Sequence, residues 1–156
     1  MEKSASRNID TFKEDTTKNK YLSFIIGEEE YGIEISCVKE IINIVTITQV
    51  PSTPNYIKGI INLRGDIIPV IDIRTRFFME EKSYDELTCV IVIEHQDNNI
   101  GLIVDSVTEV KYIKESDISL PPSTKLSFSN QFIKNLGRMN DKVILLLELD
   151  KLLYDE

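Results

Sequence analysis

The chain has 156 residues, of which 42% are apolar, and a formal charge of −8 from 18 Lys and Arg against 26 Asp and Glu. That length allows one domain, or two small intertwined halves, with a substantial core. The acidity sets aside nucleic acid as a partner held by bulk charge; no run approaches the roughly 20 apolar residues of a spanning helix. The start, M-E-K-S-A-S-R-N-I-D, lacks an apolar signal core, so direct membrane insertion is not expected and a cytoplasmic location is.

Residues 1–19 are polar and aperiodic and read as a disordered tail, with the folded domain spanning 20–156. Leu22, Phe24 and Ile26 alternate along a first strand, and Gly27-Glu28-Glu29-Glu30 turns the chain into a second, Tyr31 to Ile35. Ser36 then suits the cap of a helical turn with Val38, Ile41 and Ile42 on one face. Ile44 to Val50 reads as a strand with one wet face, ended by Pro51-Ser52-Thr53-Pro54. Thr53, Pro54 and Gly59 carry the cap, first-turn proline and stop of a one-turn helix.

Two β-branched runs, Ile60 to Leu63 and Ile67 to Ile71, flank Arg64-Gly65-Asp66 and predict a tight hairpin with Arg64 at its tip. Taken alone, such an Arg is a solvated turn residue. Asp72 suits the cap of a short helix, Ile73 to Phe78, whose two Phe residues are expected to dock on the sheet. After an exposed loop, Leu87 to Glu94 is so continuously apolar that it reads as a central strand. Gln96 to Asn99 turns it back through Ile100 to Val104, Val107 to Ile113 continues, and 114–130 is an irregular connection. Val143 to Leu149 reads as a last buried strand, where a charge at Val143 or Leu145 abolishes folding. Asp150 suits the cap of a C-terminal helix with Leu152 and Leu153 inward.

The chain also matches itself. Gly32 to Ile41 aligns without gaps on Gly101 to Val110, an offset of 69 (101 − 32). Asn55 to Lys58 aligns on Gln131 to Lys134, and Ile67 to Ile73 on Val143 to Leu149, an offset of 76 (131 − 55). Two copies of one antiparallel unit follow, about 20–78 and 87–154, each too small to stand alone. Positions alike in both copies serve the fold. Arg64 aligns with Asn140, so the tip is not demanded of both copies, and a specialised exposed loop more often reports binding.

Candidates for chemistry are few. There is no nucleophile elbow, phosphate loop or zinc-ligand spacing, no cofactor is expected, and His95 reads as a solvated turn residue. Cys37 and Cys89 read as reduced, half-core residues. Glu40, beside the apolar Val38 and Ile41, suits an ionic partner such as Arg64 or a docking ridge.

Tyr31-Gly32-Ile33-Glu34-Ile35, Val38-Lys39-Glu40-Ile41, Thr53 to Gly59, Asn62-Leu63-Arg64-Gly65 and Pro69-Val70-Ile71-Asp72, in that order, resemble the CheW-like domain family of bacterial chemotaxis. The resemblance runs from about Lys20 to Glu156. It implies an all-β fold with short helices: two intertwined SH3-like five-stranded barrels related by the repeat, plus a C-terminal helix. It further implies a scaffold without catalytic activity that couples methyl-accepting receptors, at their cytoplasmic tips, to the regulatory domain of the histidine kinase CheA. Residues matching the family's partner surfaces are Val38, Glu40, Gly59, Asn62, Arg64, Gly101, Val107 and Val110. Glu40 and Arg64 resemble a bridging pair beside an inter-barrel groove, and residues near Ile41 to Val45 suit docking on the kinase. A CheW-like adaptor in pilus motility or second-messenger control is the alternative, and a small-ligand sensor or enzyme is a third.

Overall fold

The computed structural model describes residues 17–122 and 131–154; most of the expected N-terminal tail and part of the connection before Gln131 lie outside these residues. The strands in chain order are β1 Lys20–Ile26, β2 Glu29–Glu34, β3 Val38–Asn43, β4 Ile57–Leu63, β5 Asp66–Asp72, β6 Cys89–His95, β7 Asn98–Val104, β8 Ser106–Tyr112, β9 Ile118–Ser119, β10 Ile133–Met139 and β11 Lys142–Leu147. Helix α1, Ile73–Arg76, follows β5, and α2, Leu149–Tyr154, follows β11.

The strands form two sheets, ordered β8-β1-β2-β11-β10-β9 and β3-β6-β7-β5-β4. Each takes one hairpin from one half of the chain and its remaining strands from the other, so the halves are intertwined. The offsets of 69 and 76 recur in the register. Gly32 stands opposite Leu146 on a parallel ladder, and Gly101 opposite Val70 on another. Ile41 faces Ile91, and Val110 faces Leu22. A bulge interrupts β4 between Ile57 and Gly59, and another interrupts β10 between Ile133 and Asn135.

Both sheets bend back on themselves. The chain leaving β3 bridges β4 at Thr48–Ile60, and the chain leaving β8 pairs with β10 as β9. Gly59 permits the first crossing: its φ is +155°, and a Cβ there would stand 2.2 Å from the Thr48 carbonyl oxygen. The second sheet has the five strands expected, the first adds the two-residue β9, and each is a curled sheet joined at a short bridge rather than a fully hydrogen-bonded barrel.

Apolar side chains meet in one cluster between the sheets and one inside each curl. The central cluster carries a run of rings, Phe24, Tyr31, Phe77 and Phe132, with successive centroids 6.1, 5.2 and 5.3 Å apart. Arg76 ends the run. Its buried guanidinium lies 4.2 Å from the Tyr56 ring and 4.7 Å from the Phe132 ring, residues that the offset of 76 makes equivalent. It donates to the Leu152 and Lys151 carbonyls of α2, each at 2.8 Å, and so ties the two halves together.

Several local expectations change. Ile35–Cys37 form a 3-10 turn, and Val38, Ile41 and Ile42 lie on strand β3 because pairing with β6 overrides the helical spacing. Residues 54–57 make a turn, Ile57 N–H to Pro54 C=O at 3.0 Å, and lead into β4 without the expected helix. Between Ile44 and Val50 only Thr48 pairs. Asp72 does cap α1, accepting from Arg74 N–H at 3.0 Å, yet Phe77 alone is buried and Phe78 is 65% exposed. Val143 is 50% exposed and Leu145 half-buried, with Ile144 turned inward instead. Asp150 sits within α2 and accepts from His95 Nε2 at 2.7 Å and Gln96 Nε2 at 3.0 Å, so His95 is a partnered residue stacked on Tyr154.

Candidate functional site

The β4–β5 hairpin turns on two residues, Arg64 and Gly65, with φ of +53° and +92°. Both are left-handed, as a two-residue turn between twisted strands requires. Asn62 fixes the turn by accepting the Gly65 N–H at 2.9 Å. In the other copy the equivalent of Arg64 is Asn140, φ +57°, the residue type that tolerates this backbone best. The first copy thus carries an Arg in a left-handed conformation that Asn adopts more easily.

The guanidinium reaches back to β3. Arg64 Nη2 donates to Glu40 Oε2, joining the two end strands of the second sheet on the solvent side. The hydrogen bond from Arg64 is the main cause that holds the Glu40 carboxyl below its ordinary range, and Glu40 in turn raises the Arg64 guanidinium. Both groups face water, so the pair sets geometry more than stability. What it presents is a planar cation fixed in place, with one carboxylate edge satisfied and the other donors outward.

Ile41 lies beside Glu40 and is 43% exposed, Val45 is 42% exposed, and Ile67, just beyond the tip, is 60% exposed. Ile41 points to the opposite side of β3 from Glu40, and Ile67 is paired with Asn62, so these exposed apolar residues share β3 and the β4–β5 hairpin with the ion pair without ringing it. The second copy repeats the apolar part, with Val110 in place of Ile41 and Val143 in place of Ile67, both about half exposed. Ile67 and Val143 were not among the expected site residues; their signal was parity, since each directly precedes a buried Ile on an alternating strand.

The remaining candidates are internal. Val38 and Val107 pack against the central cluster, opposite Ile93 and Phe24, where β3 and β8 bulge. Gly59 and Gly101 are buried, and a Cβ on Gly101 would stand 2.7 Å from Val70 Cγ1 and 2.8 Å from Val90 Cγ1. Their contribution to a surface is the backbone path they permit. Among the described residues, no group of three or more His, Cys, Asp or Glu is placed to hold a metal ion, and no helix is long and apolar enough to cross a membrane.

The family model described as CheW-like domain matches residues 20–156. "Chemotaxis protein CheW" of Klebsiella aerogenes is 36% identical over 142 residues, covering 91% of this chain and 86% of that protein. The protein of the same name from Helicobacter pylori is 37% identical over 134 residues, covering 86% of this chain and 81% of its own length. In structure the chain is similar to the crystal structure of scaffolding protein TtCheW from Thermoanaerobacter tengcongensis, with a TM-score of 0.81, 37% identity, and coverage of 88% of this chain and 95% of that one. On the matched residues and on the fold, the chain belongs to the CheW-like domain family.

Proposed function

We propose that the chain is a chemotaxis scaffold that couples methyl-accepting receptors to the histidine kinase CheA, so that receptor state controls kinase autophosphorylation. The observation that carries this reading is the family match over residues 20–156. The exposed ion pair and the exposed Ile41, Val45 and Ile67 support it, since a scaffold needs a contact surface and no reacting group.

Within this reading, Glu40, Asn62 and Arg64 form the polar part of a partner-binding surface at the end strands of the second sheet, and the exposed Ile41 and Ile67 form its apolar part. Val110 and Val143 give the first sheet a related face. Two like faces on one rigid body let the chain touch two neighbours at once. Val38, Val107, Gly59 and Gly101 hold the strands that carry these faces. The scaffold works at the cytoplasmic ends of the receptors and is drawn to the membrane through them, without a catalytic step or cofactor of its own.

The test is reconstitution from receptor-containing membranes, CheA and this chain. Ternary sedimentation together with attractant-sensitive kinase activity, both requiring the chain, is the expected result. Receptor control that is unchanged when the chain is omitted overturns the reading.

A further inference from the structure

The two copies differ at one matched location. In the second sheet, the loop between α1 and β6 sends Tyr84 against a cluster that includes Val70, Val90 and Ile103. The Tyr84 hydroxyl donates to Asp72 Oδ2 at 2.8 Å. Lys58 Nζ lies 5.9 Å from the ring centroid and 3.9 Å from Glu81 Oε1. Burial first, and the Asp72 carboxylate second, push the phenol up and keep it a donor. A ring, an acceptor and a cation thus form a complete seat within one chain.

The offsets carry this seat to the first sheet. Val70, Val90, Ile103, Asp72 and Lys58 become Leu146, Tyr21, Glu34, Glu148 and Lys134, and all five of these line one cavity of about 360 Å³. The equivalence is physical as well as numerical: Asp72 N–H bonds the Tyr56 carbonyl at 3.0 Å, and Glu148 N–H bonds the Phe132 carbonyl, the matching group, at 2.8 Å. Among the described residues, neither the Glu148 carboxylate nor the Lys134 ammonium takes part in a side-chain hydrogen bond or ion pair. The acceptor and the cation are in place, and among the described residues an open space stands where the other copy holds its tyrosine. The volume lies in the range of about 300–1,000 Å³ usual for pockets that enclose a ligand.

We propose that this cavity is a docking site for a tyrosine side chain presented by a partner protein. The partner's hydroxyl donates to Glu148 and its ring lies beside Lys134, as Tyr84 does with Asp72 and Lys58. Glu34 and Glu94 also face the cavity and leave its lining net acidic, so the flanking segment carries a base to offset them beside a single acid placed toward Lys134, as Glu81 is toward Lys58. The site is separate from the Glu40–Arg64 face and stands whether or not that face binds a receptor or kinase.

The probe is the tetrapeptide of residues Glu81 to Tyr84, acetylated and amidated, titrated into the full-length isotope-labelled chain and followed by amide NMR. Saturable shifts confined to Cys37, Lys134, Leu149 and their neighbours are expected, absent with a peptide carrying Ala for Tyr. Glu148→Ala weakens the binding about tenfold, the loss of one hydrogen bond to a charged group, and Lys134→Ala weakens it independently. No saturable shift at millimolar peptide, equal shifts from the Ala peptide, or shifts mapped elsewhere overturn the proposal. So does a Phe12→Ala change in the full chain that moves the same amides, because the occupant is then the chain's own N-terminal segment.

Discussion

Gly101 lies opposite Val70 on the parallel β5–β7 ladder, and a side chain on Gly101 would stand 2.7 Å from Val70 Cγ1. The contact is backbone to side chain across the strands that join the two halves. Gly101→Ala must push Val70 and Val90 aside, and overpacking of this kind costs about 1–3 kcal/mol. Urea unfolding should show the loss. Any fall in partner binding should follow the unfolded fraction and vanish under conditions where the variant is fully folded.

Neighbouring residues on β11 give opposite outcomes. Ile144 is 1% exposed and Val143 is 50% exposed. Ile144→Asp buries a carboxylate without a partner and should abolish the cooperative transition, whereas Val143→Asp should melt within a few degrees of the parent. Circular dichroism melts of the two variants distinguish them directly.

Arg74 and Asp105 form a two-pronged ion pair, Nε to Oδ1 at 2.8 Å and Nη2 to Oδ2 at 2.7 Å, and Asp105 also accepts the Gly27 N–H at 2.8 Å. Burial pushes the Asp105 carboxyl up, but the Arg74 and Gly27 hydrogen bonds outweigh it, and the carboxyl is held below its ordinary value. A carboxyl depressed in the folded state stabilises the fold above its unfolded pKa, near 3.9, and loses that contribution as pH falls through its folded value. Asp105→Ala should cost about 3 kcal/mol at neutral pH, because it strands the Arg74 cation. The penalty should shrink as pH drops below about 4, which a urea series across that range measures.

Burial, with the Glu34 carboxylate as the second cause, pushes the Cys37 thiol up to about 11. The Sγ–H donates to the Glu34 carbonyl at 3.0 Å. The thiolate is the reactive form, so in the native protein at pH 8 Cys37 should alkylate far more slowly with iodoacetamide than in urea. Mass spectrometry of the modified peptide reads the ratio.

Much of this was legible in the residues. The hairpin tip at Arg64, the capping of α1 by Asp72 and the two offsets follow from β-branched runs, a Gly in a tight turn and gapless self-alignment, all of which are local. What the sequence hid is decided by distant partners. Val38 to Ile42 have helical spacing, yet β6 supplies backbone partners and makes them a strand. Phe77 and Phe78 are alike in composition and differ only in which side of the chain meets the sheet. His95 gains its partner from Asp150, 55 residues on. Within the site, Glu40 beside apolar neighbours suggested Arg64 as one ionic partner and the family resemblance singled out the pair, because no spacing rule by itself brings a strand and a hairpin tip together across a curled sheet.

The most direct measurement is attractant-regulated CheA autophosphorylation in receptor membranes reconstituted with the parent chain, Arg64→Ala or Glu40→Ala, each checked for an unchanged urea midpoint. Both variants should remain folded and lose most of the receptor-dependent activity, and their double variant should lose little more than either alone, since the two side chains act as one unit. Full receptor-dependent activity from a folded Arg64→Ala chain would contradict the assignment of the Glu40–Arg64 face as the coupling surface.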